Sequence, residues 1–289
     1  MILLCDCGST KAEWVLLDGA KVEKRFVTDG FNPNFTDNNA MNDIVKQSLT
    51  NVVDYHDVSD AYFYGSGCAS AANQVKVKLI FNKFYPLSKA EVYPDTLAAC
   101  HALFGDKPGI ACILGTGSNA CVYDGSEITE SVASLGFMIG DEGSGCHIGK
   151  RIVHDYFLGL MPDELRAKFD AKYHLDREAF LKKVYQGEQP SRYLAEFAKF
   201  AGENIDNKYV ANAVSDCFEG FINNLNVGTR RATSLLIVSF VGSVAFGFKD
   251  ILVKCLANHS IKCEKILKNP MDGLIEFYKD QNAMDSLIL

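Results

Sequence analysis

The sequence lacks a long apolar run, an excess of positive charge and any C-x-x-C pair, and each absence removes a class of function. A membrane-spanning helix needs about 18 or more consecutive apolar residues, whereas LLIVSFV, Leu235 to Val241, has only strand length. Lys plus Arg number 29 against 36 for Asp plus Glu, so a net charge of -7 should repel a polyanion, and no nucleic-acid partner is expected. The N-terminus MILLCDCGST reaches Asp6 too soon for a secretory signal, so a cytoplasmic protein without a membrane partner is expected. The 10 cysteines are scattered through apolar runs without a disulfide framework, and most are expected to be reduced core residues. Cys5 and Cys7 alternate along an apparent strand, are expected to face opposite sides, and so would chelate poorly. None of the 6 histidines stands in an H-E-x-x-H motif, and no G-x-S-x-G presents a serine nucleophile.

What is present is material for a substantial core: 48% of residues are hydrophobic and 22% charged, which excludes disordered and fibrous classes. The opening ILLCDCGSTKAEWVLLDGAKV reads as a strand, a polar turn from Asp6 to Lys11, a second strand over Trp14 to Leu17 and a hairpin signal at Asp18 and Gly19. Apolar residues at Met41, Ile44, Val45, Leu49, Val52 and Val53 have helical spacing, with Thr36 or Asp37 as N-cap. A strand running into a glycine turn follows at Ala61 to Gly67, then a short strand at Glu91 to Tyr93 that leads through Pro94 into a helix, DTLAACHALF. Strands alternate with helices, so the class is α/β.

After the turn-rich GDKPG, the plan repeats: IACILGTGSNACVYDG is again strand, small-residue turn, strand and turn. Aligning Gly8 with Gly117 places Ser9 on Ser118 and Asp6 on Gly115, and two similar halves facing each other across a cleft is the simplest reading. Ile148, Ile152, Val153 and Phe157 mark a helix after GDEGSG, and most of 162–226 reads as helical. LLIVSF then reads as a buried strand, VGSVAFGF as a glycine turn opening a helix, CEKIL as an edge strand and NPMDGLIEFYKD as a terminal helix.

Three small-residue turns directly follow strands, at DCGST, GTGSN and VGSVAF. Such turns let a phosphate approach several backbone N–H groups at once, although a glycine turn is by default only a turn. The standard nucleotide motifs fail. No G-x-x-x-x-G-K-[ST] exists; the segment GCHIGKR has one residue too few between its glycines and Arg151 where a hydroxyl should stand. G-x-G at Gly65, Gly115 and Gly143 never continues to a third glycine.

In order and spacing, DCGSTKAEW, GTGSNACVYDG and VGSVAFGF resemble the phosphate 1, phosphate 2 and adenosine motifs of the actin-like ATPase and sugar kinase superfamily. With PDTLAACHAL and LGFMIGDEGSG, the chain looks like the BadF/BadG/BcrA/BcrD ATPase group that includes N-acetylglucosamine kinases, over nearly its whole length. The resemblance implies that Gly8, Ser9, Thr10 and Lys11 lie at the phosphates of ATP, and that Asp6 holds Mg²⁺ through water. An acid beside a nest of amides and hydroxyls suits that role, although Asp6 alone would read as a turn carboxylate and Lys11 as an exposed strand cation. The resemblance further places Thr116 and Gly117 at the phosphates, Gly242 and Ser243 at adenosine, and Asn32, Ser66, Asn119, Gly140, Asp141 and Ser144 at a sugar. Each has a plainer reading as turn geometry. Leu135 stands where the group frequently carries Trp, so an aromatic platform is not expected there. Asp95, at a helix N-terminus after Pro94, matches the catalytic aspartate of the group; by itself it would be a simple N-terminal helix acid.

The expectation is thus a two-lobed α/β protein of the ribonuclease H-like, actin-type fold. The lobes are 1–107, on which the terminal helix 271–289 packs back, and 108–270 with a helical insertion. ATP and Mg²⁺ would serve transfer of the γ-phosphoryl group to a hydroxyl, the 6-hydroxyl, of an amino sugar such as N-acetylglucosamine or glucosamine, with a homodimer open. Two alternatives share the fold: an ATPase that activates a 2-hydroxyacyl-CoA dehydratase through a subunit-bridging iron–sulfur cluster, for which no cluster spacing is evident, and a non-catalytic sugar or nucleotide sensor.

Overall fold

The structure is a computed structural model and describes residues 1–9, 11–52, 55–86, 88–229 and 237–288. The chain divides into two compact units, Met1–Asp106 with Pro270–Leu289, and Lys107–Asn269.

The first unit begins with an antiparallel meander, β1 (Ile2–Cys7), β2 (Lys11–Asp18) and β3 (Lys21–Asp29). Helix α1 (Asn38–Leu49) follows, capped by the Asp37 carboxylate, which accepts the Asn39 and Ala40 N–H groups. Strand β4 (Asp60–Gly65), helix α2 (Ala71–Phe84), strand β5 (Lys89–Pro94) and helix α3 (Asp95–Phe104) complete the run. The sheet order is β3-β2-β1-β4-β5, with β1, β4 and β5 parallel. One sheet face buries Trp14 against Phe26, Phe63 and Phe81. Cys5 and Cys7 both belong to this core, which corrects the expectation of opposite faces: residues two apart on a strand share a face. Nine of the 10 cysteines are buried, and Cys263 is partly so.

The second unit repeats the plan. An antiparallel meander of β6 (Gly109–Leu114), β7 (Ser118–Tyr123) and β8 (Ile128–Ser131) precedes the helices α4 (Gly136–Ile139), α5 (Gly145–Phe157), α6 (Asp163–Tyr173), α7 (Arg177–Gln186), α8 (Pro190–Glu196), α9 (Ala198–Glu203) and α10 (Lys208–Gly228). Strand β9 (Val238–Val241), helices α11 (Ser243–Gly247) and α12 (Lys249–Asn258) and strand β10 (Cys263–Leu267) close it. Residues 235–236 of the LLIVSF run lie outside the described residues; Val238 to Phe240 belong to the fully buried β9. The order β10-β9-β6-β7-β8, read backwards, matches the first sheet strand for strand. Strand ends pair Cys7 with Ala12 and Leu114 with Ser118, so the equivalent of Gly8 is Gly115, two residues before the Gly117 expected from the motifs.

The last helix, α13 (Met271–Ile288), packs on α3 within the first unit. A Cβ on Gly273 would lie 2.4 Å from the Ala102 carbonyl oxygen, so this backbone contact requires glycine. The Tyr64 hydroxyl lies 2.7 Å from both Tyr278 Oη and His101 Nδ1, tying β4, α13 and α3 together. Burial pushes His101 down to about 4, which keeps its ring neutral near pH 7. This bracing holds the helix that begins with Asp95. Among the described residues no helix is long and apolar enough to cross a membrane.

Candidate functional site

In a sheet with parallel strands, ligands collect beyond the carboxyl ends of those strands, where loops and helix N-termini converge. The first unit puts three of its parallel strand ends in one row, since Cys7 pairs with Gly65 and Gly65 with Pro94. The residues just past them are Gly8 and Ser9, Ser66 and Gly67, and Asp95. Gly8 donates its N–H to the Lys11 carbonyl at 3.0 Å, and Ser9 and Lys11 are exposed. Thr10 lies outside the described residues.

Asp6 is partly buried, between Glu13 on β2 and Tyr64 on β4. Its carboxyl is pushed up to about 7, first by burial and then by the charges of Asp95 and Glu13. Asp95 is raised as well, by burial, against the opposing pull of the Thr96 and Asp95 backbone N–H groups. Two aspartates, one raising the other electrostatically, are thus held at one sheet edge. Asn32 approaches the same row: its amide Nδ2 lies 3.5 Å from Ser66 Oγ, while its Oδ1 accepts the Asn34 N–H at 3.0 Å.

The loop before Asn32 contains a residue that motif reading passed over. A Cβ on Gly30 would fall 2.0 Å from the Gly8 carbonyl oxygen and 2.5 Å from the Lys11 nitrogen. The Phe31 N–H also donates to Cys7 Sγ at 3.4 Å. Gly30 therefore lets this loop lie directly against the hairpin tip and fix its shape. The Asp29, Gly30 pair is an ordinary turn signal, and only proximity in space gives it a part in the site.

In the second unit, Gly115 donates to the Gly117 carbonyl at 3.0 Å, and the carbonyls of Gly115 and Thr116 accept the N–H groups of Gly145 and Cys146 at 2.8 and 3.0 Å. The hairpin tip is thereby fastened to the start of α5. Asp141 has a left-handed backbone, φ +60°, and its carboxylate accepts the Ser118 N–H at 3.1 Å. Asn119 and Asp141 line one small cavity with Glu142 and Asn224, and the Asn119 Oδ1 accepts the Ala120 N–H. Gly140 packs against Leu135, where a Cβ would come within 3.1 Å of the leucine Cβ; Leu135 itself is exposed. Ser144 departs from the expected sugar contact: it is fully buried, and its hydroxyl accepts the His147 N–H at 3.1 Å as the cap of α5.

A larger cavity of about 410 Å³ in this unit brings Gly115, Thr116 and Ser243 together. Gly242, at φ +131°, allows the end of β9 to close on β6, since a Cβ there would lie 2.2 Å from the Leu114 carbonyl oxygen. Helices α8 and α9 supply the opposite wall with Arg192, Glu196 and Lys199. No motif marked these three residues, because they come from the helical insertion and meet the strand-end turns only after folding.

Duplicated ribonuclease H-like units, each with its small-residue turns at the strand ends, define the actin-type ATPase fold. A candidate N-acetylglucosamine kinase from Porphyromonas gingivalis is 34% identical to this chain, with a TM-score of 0.91 over 97% of this chain and 99% of that one. The chain belongs to the N-acetylglucosamine kinase-like family of actin-like ATPases. Two solved structures below 25% identity share the fold alone. A candidate N-acetylglucosamine kinase from Chromobacterium violaceum is 13% identical at TM-score 0.68, covering 96% of this chain and 98% of that chain. A ROK family glucokinase from Streptomyces griseus, in complex with glucose and AMPPNP, is 15% identical at TM-score 0.53, covering 95% and 97%. No protein-family model matches the chain, and no curated protein matches it in sequence.

Proposed function

We propose that the protein is an ATP-dependent kinase that transfers the γ-phosphoryl group to a hydroxyl, the 6-hydroxyl, of an amino sugar such as N-acetylglucosamine or glucosamine. The observation that carries this reading is the likeness to the Porphyromonas gingivalis protein along 97% of the chain.

Asp95 accepts the proton of the acceptor hydroxyl as its oxygen attacks the γ-phosphorus. A carboxyl raised above its ordinary value is the better base for this step, provided it stays ionised at working pH. In the first unit, the Gly8 and Ser9 turn and Lys11 hold phosphate oxygens; Thr10 takes the same role by its place in the motif. In the second unit, Thr116 and Gly117 hold phosphate, and Gly242 and Ser243 border adenosine. Asn32, Ser66, Asn119, Gly140 and Asp141 orient the sugar, with Ser144 shaping the turn beneath them.

The donor set suits Mg²⁺. Among the described residues no cluster of three or more His, Cys, Asp or Glu forms a metal cage, but Mg²⁺ ordinarily uses one or two carboxylates and completes its shell with water and phosphate. Asp6, raised to about 7 beside Asp95 and Glu13, is an acid whose charge a cation would stabilise. When bound, Mg²⁺ supplies charge neutralisation on the phosphate oxygens as the γ-phosphoryl group departs.

Of the alternatives, the dehydratase activator is disfavoured by the burial of nine of the ten cysteines, because a cluster bridging two subunits needs thiolates at a surface. Incubation with Mg-ATP and a panel of hexosamines tests the reading: ADP should form only with particular sugars, and ADP formation independent of sugar would contradict it.

A further inference from the structure

The 410 Å³ cavity has an unusual division of labour between its walls. Ala195, Ala198 and Gly202 line one side and Val244, Gly247 and Phe248 the other. Gly202 and Phe248 meet at one end, where a Cβ on the glycine would sit 3.7 Å from the ring. Near the other end Gly145 lies against Val244 and Ala195, with a Cβ there 3.3 and 3.4 Å from their side chains, beside the Gly115 and Thr116 turn. The result is a slot with apolar sides beside a phosphate-type turn.

The polar groups are arranged differently. The buried lining residues are Gly145, Ala198, Val244 and Phe248, none with a polar side chain. Among the described residues, every polar side chain along the cavity, from Thr116, Arg192, Glu196, Lys199 and Ser243, belongs to an exposed residue. Thr116 and Ser243 stand in the strand-end turns, which leaves Arg192, Glu196 and Lys199 for the edge of a base. These three recur at i, i+4 and i+7 along one water-facing stripe of the α8 and α9 run.

Strong rejection of a wrong base requires buried polar groups that the wrong base leaves unpaired, whereas an exposed side chain turns to water when its partner is missing. Buried polar readout gives factors of about 10⁴ or more, and shape in an apolar pocket gives about 10 to 200. We infer that this protein selects its phosphoryl donor by the triphosphate and the shape of a purine, not by the polar edge of the base. ATP, GTP and inosine triphosphate all serve as donors. The inference rests on the reading of the protein as a nucleotide-dependent kinase and assigns the donor class to it.

The test compares kcat/KM for ATP, GTP and inosine triphosphate at a saturating accepted sugar, alongside calorimetric Kd values for ADP, GDP and inosine diphosphate. The expected result is that both sets agree within about tenfold. A preference for the adenine nucleotide of a hundredfold or more in either set overturns the inference and leaves the kinase reading intact. Absence of turnover with every sugar and donor contradicts the kinase reading, while the Kd comparison still decides the inference. Gly202→Val, which fills the slot beside Phe248, should weaken all three diphosphates by a common factor of at least about ten; a loss confined to one of them overturns the shape argument.

Discussion

Asp141 and Ser118 are joined by a 3.1 Å hydrogen bond from the serine N–H to a carboxylate whose own residue has a left-handed backbone, φ +60°. That conformation costs free energy for most residues but is tolerated by Asp and Asn. The bond fastens the acid to the hairpin tip while leaving lone pairs for a ligand. Asp141→Asn keeps both the backbone and an acceptor for Ser118 but removes the charge that a sugar hydroxyl would meet. Charge-assisted hydrogen bonds contribute about 1.5 to 3 kcal/mol, so KM for the sugar should rise about 10- to 100-fold with melting temperature nearly unchanged. An unaltered KM would remove Asp141 from the sugar site.

Gly30 has an equally specific partner in Gly8, whose carbonyl oxygen would stand 2.0 Å from an added Cβ. Because the obstruction is backbone, Gly30→Ala must displace the hairpin tip. Overpacking of this kind costs about 1 to 3 kcal/mol, and the displaced turn should raise KM for ATP at least about tenfold. The control is Gly19→Ala, at a turn with nothing within 4 Å, where backbone strain at φ +54° lowers stability and KM for ATP stays as it was. Equal effects of the two variants on KM would deny Gly30 its part in shaping the site.

Asp6 makes the activity depend on pH in a stated direction. Its carboxyl is protonated below about 7 in the free protein, through burial and the Asp95 and Glu13 charges. Holding a cation requires the ionised form, so kcat/KM for Mg-ATP should fall as pH drops through that value, and higher Mg²⁺ should move the midpoint down. Stability runs the other way. The folded-state value lies above the unfolded one, so the folded protein binds the extra proton and loses stability as pH rises from about 4 to 7. Asp6→Asn should therefore stabilise the ligand-free protein above pH 7 by about 1 to 3 kcal/mol, after allowance for partial solvent screening, while abolishing turnover. Thermal melts at pH 8 check this, and destabilisation there would contradict the assignment.

The apolar meander strands, the turns after them and the Pro94 start of α3 were legible because alternation and turn chemistry are local. Strand β3 was not. Its Lys21, Glu23, Lys24 and Arg25 lie on a solvent-facing edge, where the hydrophobic pattern that marks a strand is diluted. The two-residue slip between the halves arose because the matched glycines stand at opposite ends of their turns, Gly8 directly after β1 and Gly117 directly before β7, a difference that only ladder register reveals. Expecting Cys5 and Cys7 on opposite faces misapplied the two-residue period of a strand. Arg192, Glu196 and Lys199 were invisible for another reason: each reads as an ordinary solvated helix residue until α8 and α9 fold against the strand-end turns.

The most direct measurement is turnover of Asp95→Asn with the accepted sugar, paired with its Kd for ADP. A general base contributes about 10² to 10⁴ in rate. The account predicts that kcat falls by that factor while the Kd for ADP stays within threefold of the parent. A variant that turns over at a rate close to the parent would contradict it.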